Sequence, residues 1–575
     1  MKAVFDIEAN GLEPTRVWCI YAKLHTTPWI ERFFGPEEIE SFGDWLKENH
    51  VDTLVGHNII GYDIPVLEKL VYGFKWEGAV EDTLVMSRLD NPSRKHNLKA
   101  WGEYLGDYKI GFEDFTKYSD AMKEYCIQDV SVTYKVYDLM LQSNLHPTAL
   151  EIEHEVAKVI HQQTENGWRF DYIKATSLMA ELKDEMMKAE DTVREVFQPL
   201  PTFKPVPFPK NPYKKDGSVS AALQRHLDNQ SYLHPEKGWG HIIYPEFNLA
   251  SRQQIGRYLQ HFGWNPLEYT ETGQPIVSET ILEKVDIPEA QLIAKYLMLQ
   301  KRLGLLDSWM DSLRITTSRI HGSVNSNGAR TGRMTHSKPN LAQVPAVYSP
   351  YGDKCRALFK VEKGYKLVGV DASGLELRML AHYMNDKKYT EEILNGDIHT
   401  ANQMAAQLES RDEAKTFIYA FLYGAGDEKI GSIIGGEAED GKRLKTNFLD
   451  NTPALADLRK RITKLSQSGR LEGLDGRQLL IDKPHTALNT LFQSAGAIVM
   501  KKALLILKDK ADAAHIDYKF VGNIHDEIQT EVIEDQADMF GRLAVQSIVE
   551  AGEYFNLNCP LDGEYKIGDN WSETH

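Results

Sequence analysis

The sequence predicts a multidomain α/β protein, and three observations lead there. Its 575 residues, 42 % of them hydrophobic, suffice for several buried cores and suggest roughly four domain-sized units. The stretch up to about Asn144 alternates strand-like with helix-like segments. After a long helical middle, the pattern becomes mixed again beyond Arg314.

Along the chain, Lys2 to Ile7 reads as a strand, Leu54 to His57 as another, and Ala121 to Leu141 as a helix. Charge-rich amphipathic patterning predicts a helical region from Glu151 to Phe197. Pro199, Pro201, Pro205, Pro207, Pro209 and Pro212 then fall within fourteen residues, interleaved with Lys204, Lys210, Lys214, Lys215, Phe203, Phe208 and Tyr213. That composition predicts an extended, basic, partly aromatic loop without regular structure. Helical patterning resumes from Ser251 to about Leu313. Lys366 to Val370 reads as a strand, Ile398 to Leu507 as helical blocks, and Tyr518 to Val532 as a hairpin.

The net charge of −17 argues against a uniformly basic nucleic-acid binder, yet a basic groove can sit inside an acidic shell. Carboxylates gathered for metal binding would push the balance the same way. Cys19, Cys126, Cys355 and Cys559 form no CxxC pair and no zinc spacing, so buried thiols in a reducing compartment are expected. Asp6 and Glu8 fall where a signal peptide needs its apolar run, and no stretch of 18 uncharged apolar residues is present. Neither secretion nor membrane spanning is expected.

Asp6 and Glu8, two apart on a strand, share one face. Taken alone, the pair fits a solvated strand end as well as a hard divalent metal between repelling carboxylates. Downstream, His57-Asn58 precedes Gly61-Tyr62-Asp63, and Tyr125 and Asp129 fall four apart on one helix face. In that order, these elements resemble the DEDDy exonucleases. The resemblance makes Asp6, Glu8, Asp63 and Asp129 metal ligands and gives Tyr125 the orientation of the attacking water.

A second constellation joins Asp371, which ends a strand and turns through Ala372-Ser373-Gly374 into a helix carrying Glu376, to Asp526 and Glu527 at a hairpin tip. Between them Arg411, Lys415 and Tyr419 recur every fourth residue on one helical stripe. An exposed stripe paired with Asp412 and Glu413 is the plain alternative, but Thr416 to Tyr423 is too apolar for a solvated face. The three segments resemble motifs A, B and C of the DNA polymerase I family, family A, with a closer likeness to replicative polymerases of T-seven-type short-tailed phages. Thr331-Gly332-Arg333, Pro339 to Gln343, Asp397 to Thr400, Gly424 to Ile430, and His485 to Ala497 carry the likeness along the chain.

The resemblance implies an RNase H-like DEDDy exonuclease domain over 1–145, followed by a right-hand polymerase of thumb, palm and fingers. Residues 146–320 would begin the polymerase region and thumb, with a short basic insertion at about 198–247. Residues 321–390 would form palm with motif A, 391–485 fingers with motif B, and 486–575 palm with motif C. It implies two Mg²⁺ per site, with Mn²⁺ able to substitute, held in the palm by Asp371, the Ala372 backbone and Asp526, with Glu527 assisting. His399, Arg411 and Lys415 would grip the triphosphate. Arg333, Asn489 and Gln493 would touch the primer–template minor groove, whose acceptors are shared by all correct pairs, and His525 would lie near the primer terminus. Glu376 would exclude a 2′-hydroxyl, which separates this reading from single-subunit RNA polymerases. Implied partners are primer–template DNA, dNTPs, and a phage helicase-primase and single-stranded DNA-binding protein, in the cytoplasm of an infected bacterial cell. Host thioredoxin is not expected, because Gln198 to Phe247 is much shorter than the thumb insertion that docks it. A repair nuclease with a vestigial polymerase half would show damaged motifs, and a non-catalytic scaffold would not need two complete acid sets.

Tyr419 can fill the space of a missing 3′-hydroxyl. Dideoxynucleotides are therefore expected to be accepted readily, and Tyr419→Phe to raise discrimination against them, as read from dideoxy-to-deoxy incorporation ratios.

Overall fold

Alternating apolar residues near the N-terminus build a five-stranded sheet of β1 (Lys2–Ala9), β2 (Val17–Leu24), β3 (Glu31–Phe34), β4 (Thr53–Gly56) and β5 (Ala79–Asp82), in the order β3-β2-β1-β4-β5. The computed structural model describes residues 1–26, 29–266 and 268–575. The central strand β1 runs antiparallel to β2 and parallel to β4, and residues of both its faces enter buried cores. Ala3, Phe5 and Ile7 enter one core with Phe42 and Leu67. Val4 enters the other, against Met122, Cys126 and Val130 of a long helix. Helices α1 (Asp63–Leu70), α2 (Asp120–Gln142) and α3 (Pro147–Asn166) follow in the chain. Because side chains alternate along a strand, Asp6 and Glu8 share the face of Val4 and look toward α2.

The predicted helical run from Glu151 to Phe197 is interrupted. Gly167, at φ 60°, ends α3, and a Cβ there would lie 2.7 Å from the His321 ring, which favours glycine. Strand β6 (Trp168–Phe170) follows.

The chain clusters into two compact units, Met1–Phe170 with Ser312–His575, and Asp171–Asp311. The second unit contains α4 (Tyr172–Val196), β7 (Thr202–Pro205), α5 (Ala221–Asp228), β8 (Tyr232–His234), β9 (Gly238–Ile243), α6 (Arg252–His261) and α7 (Pro288–Asp311). Val193, Phe197, Ile255, Leu259, Ile293 and Leu297 form its core. The proline-rich segment is more ordered than its composition predicts. Thr202–Pro205 pairs with β9 at the edge of a three-stranded sheet ordered β7-β9-β8. An edge strand tolerates proline because one side of its backbone has no partner. Helical structure from Ser251 to Leu313 is likewise discontinuous: between α6 and α7, Gly263 and Gly273 take positive φ, and a short helix forms at Glu279–Leu282.

Back in the first unit, β10 (Leu313–Arg314) and β11 (Arg319–Ile320) join β6 and β14 (Phe359–Lys360) in one small sheet, while β12 (Ser323–Asn325) and β13 (Thr335–Ser337) form a separate hairpin. Strand β15 (Tyr365–Ala372) leads into α8 (Leu375–Met384), followed by α9 (Ile398–Ala406), α10 (Arg411–Leu422), α11 (Asp427–Gly431) and α12 (Ala438–Asn451). A short hairpin, β16 (Arg470–Glu472) and β17 (Gln478–Leu480), interrupts the predicted helical blocks before α13 (Ala487–Ala513). Strands β18 (Tyr518–Ile524) and β19 (Glu527–Ile533), helix α14 (Ala537–Tyr554) and β20 (Gly563–Gly568) complete an antiparallel sheet ordered β18-β19-β15-β20. Val368 and Val370 of β15 pack there with Val499 and Leu504 of α13, Phe540 and Ile548 of α14, and Val156 of α3. Helices α11 and α12 touch backbone to backbone: a Cβ on Gly441 would lie 1.8 Å from the Asp427 carbonyl oxygen, and one on Gly431 1.9 Å from that of Glu437.

By length and composition, the segment Pro484–Ala513 could cross a membrane, but 67 % of its most apolar window is buried inside the fold. It also carries Lys501 into a closed ionic group. Glu153 of α3 accepts from Lys501 at 2.5 Å and from Arg477 at 2.7 Å, and Arg477 also pairs with Asp475 at 2.6 Å; each of these side chains is at most 4 % exposed. Two positive and two negative charges cancel, and losing one partner strands the others without water. Glu153→Ala is expected to destabilise the protein by about 3–5 kcal/mol, measured by urea unfolding.

Candidate active sites

Two groups of carboxylates gather on the two main sheets of the first unit. In the first, Asp6 and Glu8 lie on β1 beneath α2, which carries Tyr125 and Asp129, while Asp63 opens α1. The Ile7 N–H donates to Asp63 Oδ1 at 3.2 Å and fixes that carboxylate beside the strand. Ligand atoms of Asp6, Glu8 and Cys126 lie within 4.8 Å of one another, and the Cys126 thiol donates to the Asp6 carbonyl.

Burial, followed by the neighbouring carboxylates Asp63, Glu8 and Asp129, drives Asp6 well above the usual carboxylate range. Burial and Asp129 raise Glu8 in the same way. Burial lifts Asp63 to about 7, although the hydrogen bond from Ile7 opposes it. Asp129 is also raised by burial, with Lys109 pulling the other way. Asp129 Oδ1 is buried without a hydrogen-bond partner. Crowded, protonation-prone carboxylates with an unsatisfied oxygen fit a hard divalent cation. Tyr125 is seated against Phe112 and Phe115, with ring centroids 5.5 and 6.1 Å away.

The second group forms where β15 meets the β18–β19 hairpin. Asp371 stands opposite Glu527 in the ladder, and the Ala372 N–H donates to the Asp526 carbonyl at 3.3 Å. His525, at φ 60°, turns the hairpin tip. Desolvation by the surrounding protein, then Asp526 and Glu527, pushes Asp371 up to about 7. Burial and Glu376 push Asp526 up to about 6, and Arg333 acts against them.

Glu527 differs from these two. Its Oε1 accepts from Trp571 at 2.6 Å and Gln529 at 2.5 Å, and its Oε2 lies 3.0 Å from His575 Nδ1. Despite burial, the contacts to His575 and Trp571 hold it below the usual range. Both its oxygens are engaged in holding the hairpin behind the Asp371–Asp526 pair.

Around this pair, Tyr423 donates to Glu376 Oε1 at 3.0 Å, and Arg333 approaches the same oxygen at 3.5 Å. Arg333 projects from the loop between β12 and β13, where Gly332 has φ 77° and a Cβ would lie 2.5 Å from Arg477 Nη1. The buried ionic group therefore supports this loop directly. On α13, Gln493 donates to Asn489, which in turn donates to the Tyr423 carbonyl at 3.2 Å. Lys415 is exposed on α10, and the His399 and Tyr419 rings are 6.3 Å apart. Arg411 pairs with Asp397 at 2.7 Å; the acids beside it in sequence instead lie in the first turn of α10, where Glu413 completes a capping box with Ser410. Sequence reasoning missed Lys109 and the partnership of Tyr423 with Glu376. Lys109 carries no motif, whereas the four-residue step from Tyr419 to Tyr423 places both phenols on one stripe and was a usable signal.

The family model described as DNA polymerase family A matches residues 221–573. The DNA-directed DNA polymerase of Enterobacteria phage T3 is 36 % identical over the full length of both chains, and that of Escherichia phage T7 is 35 % identical over the full length of both. DNA polymerase I of Pseudomonas aeruginosa is 25 % identical over 89 % of this chain and 56 % of its own. The POL domain of Pol1 from M. smegmatis, solved in complex with DNA primer-template and dNTP, shares the fold: its TM-score is 0.78 at 18 % identity, over 99 % of this chain and 95 % of its own.

The raised carboxyl of Asp63 has a stability consequence. The folded state holds a proton that the unfolded chain releases near pH 4, so stability falls as pH rises from the ordinary carboxylate range to about 7. In chelator, Asp63→Asn is expected to gain about 1–3 kcal/mol relative to the unsubstituted chain across that window. The difference should level off above it, as followed by urea midpoints at several pH values.

Proposed function

The chain belongs to DNA polymerase family A and is a DNA-directed DNA polymerase, and on that footing we propose that it extends primers at Asp371 and Asp526 and proofreads 3′→5′ at Asp6, Glu8, Asp63 and Asp129. The observation that carries this reading is the pair of carboxylate groups on separate sheets: Asp6 and Glu8 on β1 with Asp63 fixed beside them, and Asp371 opposite the hairpin that bears Asp526. Mg²⁺ is the proposed cofactor of both, held in the palm by Asp371, the Ala372 carbonyl and Asp526. When bound, paired metal ions activate the attacking oxygen and stabilise the leaving one.

The chain's own residues supply positioning. His399, Arg411 and Lys415 line the side from which a triphosphate would be gripped, the arginine exchanging Asp397 for phosphate. Tyr419 packs against the incoming sugar. Glu376, fixed by Tyr423 and Arg333, leaves no room for a 2′-hydroxyl. Arg333, Asn489 and Gln493 check pair geometry in the minor groove, with His525 at the primer terminus. Glu527 braces the hairpin, and Tyr125 orients the hydrolytic water at the other site.

In this reading residues 1–145 form the exonuclease, 146–320 the start of the polymerase region and thumb, 321–390 and 486–575 the palm, and 391–485 the fingers. The substrates are primer–template DNA and dNTPs, and the task is replication of a phage genome in the cytoplasm of an infected bacterium, beside a helicase-primase and a single-stranded DNA-binding protein. Thioredoxin is left out, since Gln198 to Phe247 is much shorter than the thumb insertion that docks it.

Primer extension run beside degradation without nucleotides tests the two-site reading. Asp526→Ala is expected to abolish extension and spare degradation, and Asp6→Ala to do the reverse. Loss of both activities from one substitution would overturn it.

A further inference from the structure

We propose that Lys109 is a resident counter-cation of the exonuclease site, a positioning residue that occupies one oxygen of Asp129 and leaves the other for a divalent metal. The inference rests on the proofreading reading above and adds a residue to it. Lys109 Nζ lies 2.7 Å from Asp129 Oδ2, with the lysine side chain 20 % exposed and the aspartate 6 %. The same ammonium sits 4.5 Å from the centroid of the Tyr125 ring. Asp129 Oδ1 is buried without a hydrogen-bond partner. One oxygen is thus neutralised from within the chain while its twin remains unsatisfied.

The placement of Lys109 is built into the fold. Asp107, two residues earlier, accepts from Gln128, from Ser131 at 3.0 Å and from Lys135 at 2.5 Å, all on α2. A Cβ on Gly102 would lie 2.4 Å from the Asp107 carbonyl oxygen and 3.3 Å from the Lys109 nitrogen, so the segment is pressed down from its other side too. The clamp holds an otherwise irregular segment against the helix that bears Tyr125 and Asp129.

Charge accounting explains why a lysine belongs there. Asp6, Glu8, Asp63 and Asp129 carry four negative charges when ionised, and two divalent cations cancel them. Lys109 then leaves one positive charge over, which the single negative charge of a phosphodiester balances. Neutrality is reached only with substrate present. The lysine also weakens cation binding to the empty site through like-charge repulsion, and it holds Tyr125 and Asp129 in fixed relation.

These two effects have opposite signs in one variant. In an Asp371→Ala/Asp526→Ala background, where the palm ligands are removed, Mn²⁺ binding is measured by electron paramagnetic resonance for Lys109→Met and Lys109→Arg. Single-strand degradation is measured alongside, and the melting temperature reports folding. Lys109→Met is expected to bind Mn²⁺ more tightly, on the order of threefold to tenfold, yet to degrade DNA at least about tenfold more slowly. Lys109→Arg should keep the affinity of the unsubstituted chain and recover part of the rate. Affinity that is unchanged or weaker in Lys109→Met overturns the proposal, as does an unchanged rate. If Asp6→Ala in the same background keeps both Mn²⁺ binding and degradation, the proofreading assignment itself fails, and the role of Lys109 falls with it.

Discussion

Like charges held close together are the constraint on which the rest of this structure depends. Carboxylates repel, and they repel most where water is excluded. At both sites, strands fix the spacing of the acids more rigidly than loops could. Asp6 and Glu8 are forced onto one face by the pleat of β1, and Asp371 is forced opposite Glu527 by the ladder between β15 and β19. The burial that stiffens these strands is also what raises the carboxyl groups, so rigidity and hunger for a cation arise from a single cause.

The chain manages this charge in three ways. Beside β15, both oxygens of Glu527 are engaged by hydrogen bonds from Trp571 and Gln529 and by its contact with His575, which leaves Asp371 and Asp526 as the acids facing outward. At the N-terminal site an ammonium group shares the load. Deeper in the core, Glu153, Asp475, Arg477 and Lys501 cancel one another completely. That last group does more than avoid a penalty, because Arg477 supports the turn at Gly332 and so places Arg333 beside Glu376.

Much of this was legible in the sequence where a short period governs geometry. The two-residue spacing of Asp6 and Glu8 and the four-residue spacing of Tyr125 and Asp129 each specify a shared face once the element type is known. The three polymerase segments were likewise readable from their order along the chain. Legibility failed where a single residue or a distant partner decides. Gly167 ends a helix that composition would have continued, because the His321 ring occupies the space a side chain would need. The prolines around 199–212 suggested a loop, which holds outside Thr202–Pro205, where an unpartnered sheet edge accommodates Pro205. Lys109 has no neighbour in sequence to betray it, since its place is set by Asp107 gripping a helix that begins thirteen residues after that aspartate. Arg411 shows the reverse error: adjacent acids looked like its partners, whereas the fold brings Asp397 to it.

The contact between α11 and α12 limits which side chains this part of the protein can accept. At Gly431 and Gly441 the two backbones touch directly, while Ile430, Leu444 and Phe448 share a buried cluster and Lys445 pairs with Asp427 at 2.8 Å. With Gly431 and Gly441 seated against opposing carbonyl oxygens, the pair has a stiff joint where most helix packings have a compliant one. A single added methyl group at either glycine would pry that joint apart.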